Sequence, residues 1–157
     1  MDRQPITQEG FNDLQTELKD LIKNQRPKII EDIAEARAHG DLKENAEYHA
    51  AKEKQGWIET RVQHINYLIA NSEIIDVTTM KSDKIRFGAT VTYENSETEE
   101  ETTWKIVGEE EADFKQQKIS IKSPIAKALL GKEEGDDVLI HVPKGKIEVE
   151  ITDIKYI

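Results

Sequence analysis

A chain of 157 residues, 36% apolar and 34% charged, has room for one ordinary domain or two small ones with modest cores. No run in it reaches the roughly 18 apolar residues that a membrane helix needs. The formal charge of −10 is spread evenly, residues 1–77 carrying 10 Lys and Arg against 15 Asp and Glu and residues 78–157 carrying 12 against 17, so the basic footprint that binds duplex DNA or long RNA is missing and a protein partner fits better. Without cysteine there are no disulfides, no thiol chemistry and no thiolate zinc site. The start, Met1-Asp2-Arg3-Gln4-Pro5, has no apolar leader, so a cytoplasmic protein with no membrane association is expected.

In chain order, Thr7 reads as a helix N-cap with Glu9 in the first turn. Phe11, Leu14, Leu18 and Leu21 then recur at helical spacing as one narrow apolar stripe. The stripe continues through Ile22, Ile29 or Ile30, Ile33 and Ala36 to Ala38, with Pro27 removing a backbone donor midway and predicting a bend. His39-Gly40 ends this first arm. From about Leu42 a second arm runs through Ala51, Ile58, Val62, Ile65 and Ile69 and stops near Asn71-Ser72. So short a turn makes the arms antiparallel neighbours in a coiled-coil hairpin. Arms of about thirty residues would be roughly 45 Å long, more than a small protein needs simply to bury a seam.

The boundary is placed near Val77, giving an N-terminal hairpin over residues 1–77 and a second domain over 78–157. Residues 86–93 and 102–107 read as strands flanking the acidic loop Glu94 to Glu101, and Ile119-Ser120-Ile121 as a short strand. Ser123 as N-cap, Pro124 at the first helical position and Gly131 as the stop bound one short helix. Residues 138–142 and 147–151 close the chain as a hairpin around Pro143-Lys144-Gly145-Lys146. The class is α+β, with an antiparallel sheet packed on one helix in the second half.

Asp41 and Glu44 sit at the hairpin tip, out of reach of the rest of the hairpin. Asp-x-x-Glu ahead of a helix is a capping box, in which Asp41 accepts from the amide of Glu44 and Glu44 reaches back. Two carboxylates on one face are also hard oxygen ligands for Mg²⁺, incomplete alone but able to complete a site that another molecule half supplies. Both readings stand. Arg37 and Lys52 flank the tip and suit a phosphate, and Tyr48 suits stacking on a base, although single charges on coiled-coil flanks are more often merely solvated. His39 and His49 bracket the same tip, but with Asp41 and Glu44 they match no known zinc spacing.

The tip block Gly40-Asp41-Leu42-Lys43-Glu44-Asn45-Ala46-Glu47-Tyr48-His49-Ala50-Ala51 is followed in order by Phe87-Gly88-Ala89-Thr90-Val91, Ile106-Val107-Gly108, Glu111-Ala112-Asp113 and Ser123-Pro124-Ile125-Ala126 with Gly131-Lys132. Together these closely resemble the bacterial Gre family over essentially the whole chain, and the acidity resembles its GreA type more than the basic GreB type. The resemblance implies a coiled coil that enters the secondary channel of bacterial RNA polymerase and an FKBP-like domain at the channel rim. It further implies a transcript-cleavage and elongation factor, not itself an enzyme, that stimulates the polymerase to cut backtracked nascent RNA at its 3′ end. Asp41 and Glu44 would act in trans, sharing a Mg²⁺ with the polymerase, with no cofactor held by the free and expectedly monomeric protein. Arg37, Asn45, Tyr48 and Lys52 would position RNA or phosphate, Lys52 standing where family members often carry the bidentate Arg. Glu111, Asp113, Ser123, Pro124 and Ile125 would dock to the polymerase. The rivals are a channel-binding inhibitor of the same architecture and an FKBP-like prolyl isomerase. The isomerase would need an aromatic-lined pocket that Tyr93, Trp104, Phe114 and Tyr156 do not convincingly assemble.

Overall fold

The computed structural model describes residues 3–41 and 44–157. By internal packing these form two units, one of residues 11–72 and one of residues 73–157 joined by the N-terminal segment up to Gly10. Packing thus divides the chain a few residues ahead of Val77 and assigns the first ten residues to the second unit. The reason is a strand that the apolar pattern does not announce. β1 (Gln4–Thr7) pairs with β2 (Ser72–Ile75) in a two-stranded sheet.

The first unit is the helical hairpin. Its first arm comprises α1 (Gln8–Asp20), a π-helical turn at Leu21–Gln25, and α2 (Arg26–Ala38). Pro27 accounts for the π turn, because a proline cannot donate to the carbonyl four residues back. Just before it, the amide of Arg26 bonds instead to the carbonyl of Leu21, five residues away, so the effect of the proline appears as a change of helical register. The second arm is α3 (Ala46–Ala70), whose 25 residues rise roughly 37 Å. It begins four residues later than Leu42.

Leu14, Leu21, Ile29, Ile33 and Ala36 of the first arm and Ala51, Ile58, Val62 and Ile65 of the second are buried along the seam. Ile29 is the seam residue, whereas Ile30 is 54% and Ile22 is 38% exposed. Two bidentate ion pairs staple the arms across this seam. Arg26 holds Glu59 at 2.8 and 2.9 Å, and Arg61 holds Glu17 at 2.5 and 2.8 Å. The bonds from Arg61 are the main reason the Glu17 carboxyl is held below its ordinary pKa.

The second unit carries five strands in the order β5-β4-β3-β7-β6: β3 (Thr90–Asn95), β4 (Glu101–Val107), β5 (Lys118–Ser120), β6 (Asp137–Val142) and β7 (Gly145–Lys155). The sheet is mixed, which corrects the antiparallel reading: β5 runs parallel to β4, with Lys105 opposite Lys118 and Val107 opposite Ser120. The link between them makes two 3₁₀ turns, Glu109–Glu111 and Phe114–Gln116, and brings the chain back beside the last three residues of β4, Lys105 to Val107. A bulge at Thr92/Tyr93 shifts the β3–β7 register.

One face of the sheet, with Val91, Tyr93, Ile106, Ile119, Val138, Ile140, Val149 and Ile151, is buried in a core completed by Ala126 and Leu129 of α4 (Pro124–Leu129). The alternation of buried and exposed residues along β3 and β6 is the period-2 pattern seen in the sequence. Among the described residues no helix is long and apolar enough to cross a membrane.

Beside the β1–β2 pairing, one carboxylate ties the N-terminal segment into the second unit. Glu111 Oε2 accepts from the amides of Thr7 (3.1 Å) and Gly108 (2.9 Å), and its Oε1 accepts from the Thr7 hydroxyl. That hydroxyl in turn accepts from the Gly10 amide at 3.0 Å, so Thr7 is the cap that its residue type predicts. The approach is close on both sides. A Cβ at Gly108 would stand 2.7 Å from the Pro5 carbonyl oxygen, and one at Gly10 would overlap the Glu111 side chain.

Candidate functional site at the hairpin tip

The tip is built by the way two helices end and begin. α2 closes with His39 as C-cap, its amide bonding back to the carbonyl of Ala36 at 3.2 Å. Gly40 follows at φ +118°, a conformation that side-chain-bearing residues rarely adopt, with open space around it. The chain re-enters a helix at Asn45, the N-cap of α3, whose Oδ1 accepts from the Tyr48 amide at 3.0 Å.

Asn45, not Asp41, caps α3. The Asp-x-x-Glu pair lies outside that helix, so capping α3 does not account for the two acids. Asp41 and Glu44 are exposed and line a single open hollow of about 460 Å³, together with His39, Asn45, Ala46 and Glu47. Three acidic residues and one histidine therefore border the same space. Leu42 and Lys43, the middle of the tip block, lie outside the described residues.

The other residues expected at the tip are placed as follows. Asn45 uses both ends of its amide within the chain, Nδ2 donating to the Ala36 carbonyl at 2.6 Å while Oδ1 caps α3. The Arg37 guanidinium carbon lies 5.8 Å from the centroid of the Tyr48 ring, a cation–π contact between the end of one arm and the start of the other. Tyr48 also meets His49 edge-on, with ring centroids 5.6 Å apart. One face of Tyr48 is thus already covered, leaving less of it for a base. Lys52 reaches Gln55 at 3.3 Å and remains exposed.

The tip therefore gathers Arg37, Asp41, Glu44, Asn45 and Tyr48, with Lys52 a turn further along α3. His39 and Glu47 join the hollow as well. The Asn-Ala-Glu-Tyr start of α3 was the available signal for the cap, and Glu47 in its first turn is an acid that the helix dipole favours there.

In the second unit, the residues expected to dock have structural duties too. Glu111 is bound to Thr7 and Gly108, as described. Asp113 caps the turn Phe114–Gln116 by accepting from the Lys115 amide at 3.0 Å. Ser123 caps α4 by accepting from the Ala126 amide at 3.2 Å. Ile125 packs half-buried against the core, and Pro124 is exposed.

For a cation the arrangement is partial. Among the described residues no group of three or more His, Asp or Glu is placed to hold a metal ion. The two tip carboxylates are the donor type that Mg²⁺ takes, but they would fill only a minority of its six positions. The tip fits a hard cation whose remaining ligands come from elsewhere.

The chain is similar to known proteins along nearly its whole length. Residues 4–74 match the family model for the transcription elongation factor N-terminal domain, and residues 80–156 match that for the GreA/GreB C-terminal domain. "Transcription elongation factor GreA" of Pelobacter propionicus is 55% identical over 152 residues, covering 97% of this chain and 96% of that protein. The protein of the same name from Francisella tularensis subsp. novicida is 55% identical over 156 residues, covering 99% and 98%. The crystal structure of GreA factor homolog 1 of Thermus thermophilus aligns over 98% of this chain and 99% of its own at 24% identity, with a TM-score of 0.44.

Proposed function

The chain belongs to the GreA/GreB family of transcription elongation factors, and from that premise we propose that it binds bacterial RNA polymerase and stimulates the polymerase to cut backtracked nascent RNA. The observation that carries the reading is the tip: Asp41 and Glu44 are exposed, share one hollow, and are not used to cap the helix that follows them. Acids presented at the end of a hairpin are placed for another molecule's use.

In this reading the hairpin enters the secondary channel and brings Asp41 and Glu44 to the polymerase's catalytic centre. Mg²⁺ shared there would polarise the attacking water and stabilise the leaving oxygen of an in-line displacement. Asp41 and Glu44 would hold the side of that site which the polymerase leaves open, and orient the water. Arg37 and Lys52 offer positive charge beside the acids for an RNA phosphate. The second unit, with its curled sheet on one short helix, is read as the FKBP-like half that docks at the channel rim, Pro124 and Asp113 being exposed for contact. On this reading the site is complete only in the polymerase, so the free factor should not cut RNA by itself.

The test is a halted polymerase complex that has backtracked on its template. Added factor should shorten the labelled RNA from its 3′ end and restore elongation. Pausing or inhibition without shortening would mean the factor occupies the polymerase without completing its site.

A further inference from the structure

We propose that Asn45 is a positioning residue, a clasp between the two arms that sets where Glu44 stands, and that it does not act by touching RNA. The inference rests on the tip reading above and concerns how the chain holds that tip. The last turn of α2 tightens, the amides of His39 and Gly40 bonding to Ala36 at 3.2 Å and Arg37 at 3.4 Å. The Ala36 carbonyl then takes a second donor, Asn45 Nδ2, at 2.6 Å, from nine residues along the chain. The same side chain accepts from the Tyr48 amide at 3.0 Å. One half-buried amide group thus adds a second donor to a carbonyl in the last turn of one helix and satisfies an N–H that the N-terminus of the next leaves over.

Glu44 is joined to Asn45 by one peptide bond, so whatever fixes Asn45 fixes the point from which Glu44 projects. The Arg37–Tyr48 contact ties the same two helix ends and supports the clasp. Few residues can do this. Asp supplies the acceptor but no donor, Ser offers a single atom on a shorter stem, and Gln is one methylene longer.

The test compares Asn45→Ser and Asn45→Asp with the wild type in the full-length factor. Both variants remain good N-caps but lose the bond to Ala36, and Ser adds no charge near the acids. Helix content, melting temperature and competition for polymerase should stay near wild type, while stimulated cleavage falls about ten- to a hundredfold, as slight misplacement of a catalytic group does. The backbone amides of His39, Gly40, Glu44, Asn45 and Tyr48 should exchange with solvent faster in the free variant. Wild-type cleavage by Asn45→Ser would overturn the proposal. So would lost cleavage with unchanged exchange in the free protein, which would make Asn45 an RNA contact. Asp41→Ala is the control for the tip itself. If it keeps full cleavage, the tip reading falls while exchange still decides the clasp: faster exchange in Asn45→Ser supports it and unchanged exchange overturns it.

Discussion

Glu111→Ala separates two roles for one acid. The sequence places Glu111 among the polymerase-docking residues, whereas the structure gives its carboxylate three hydrogen bonds, from the amides of Thr7 and Gly108 and from the Thr7 hydroxyl. Thr7 is buried at 3% exposure, so removing the acceptor leaves its amide N–H and its hydroxyl hydrogen without an acceptor, although the hydroxyl oxygen still accepts from the Gly10 amide. Bonds to a charged acceptor contribute about 1.5–3 kcal/mol each, and water would recover part of the loss at this half-buried site, so a net cost of about 2–4 kcal/mol is expected. For a domain of this size that lowers the melting temperature by roughly 10–20 °C. The chain has two tryptophans, Trp57 in the hairpin and Trp104 in the sheet. In a Trp57→Phe background, fluorescence therefore reports the second unit alone. Trp57 is 57% exposed and should tolerate the change. Glu111→Gln, which keeps one acceptor oxygen, should lie between wild type and Ala. An unchanged melting temperature with weakened competition for polymerase would refute the structural role and favour docking.

Two further outcomes follow from titratable groups. Arg61 holds the Glu17 carboxyl below the ordinary 4.5, so the pair's contribution to the hairpin is present above about pH 4.5 and is lost as pH falls through the depressed value. Both side chains are partly exposed, at 37% and 25%, so screening limits the effect to about 0.5–1 kcal/mol. Arg61→Gln should flatten that part of an acid unfolding profile, and an unaltered profile would count against the pair. In the sheet, Tyr93→Phe leaves the Trp104 indole N–H without the hydroxyl it reaches at 2.9 Å and should cost about 1 kcal/mol in urea unfolding. Burial raises the Tyr93 phenol above 10.0, so its contribution is complete below that pH and lost as pH climbs through the raised value. The Phe variant should lack this alkaline decline.

Much of the fold is legible in the residues, because periodicity registers burial. The seam from Leu14 to Ile33, the return from Ala51 to Ile65, and the alternation in β3 and β6 all come from one face meeting a core. The capping signals at Thr7, Ser123 and Pro124 are equally local and equally readable. What escapes is pairing between distant segments. β1 and β2 are four residues each, too short for a pattern, and they belong together only because the chain returns there. The parallel β4–β5 pair depends on the path of its link, which no strand pattern encodes. At the tip, Asp-x-x-Glu is visible as a pair, but Asn45 wins the cap because α3 begins at Ala46. Its second bond, to Ala36, is a tertiary contact that spacing cannot reveal.

The central claim of the proposed function is that Asp41 and Glu44 complete a site in the polymerase. The most direct measurement takes Asp41→Ala and Glu44→Ala and follows both RNA shortening in a backtracked complex and melting of the free factor. Because Asn45 caps α3, melting and competition for polymerase should barely change, while stimulated cleavage is lost. A cost of about 1 kcal/mol in helix stability with cleavage nearly intact would mean that the pair is only a capping box after all.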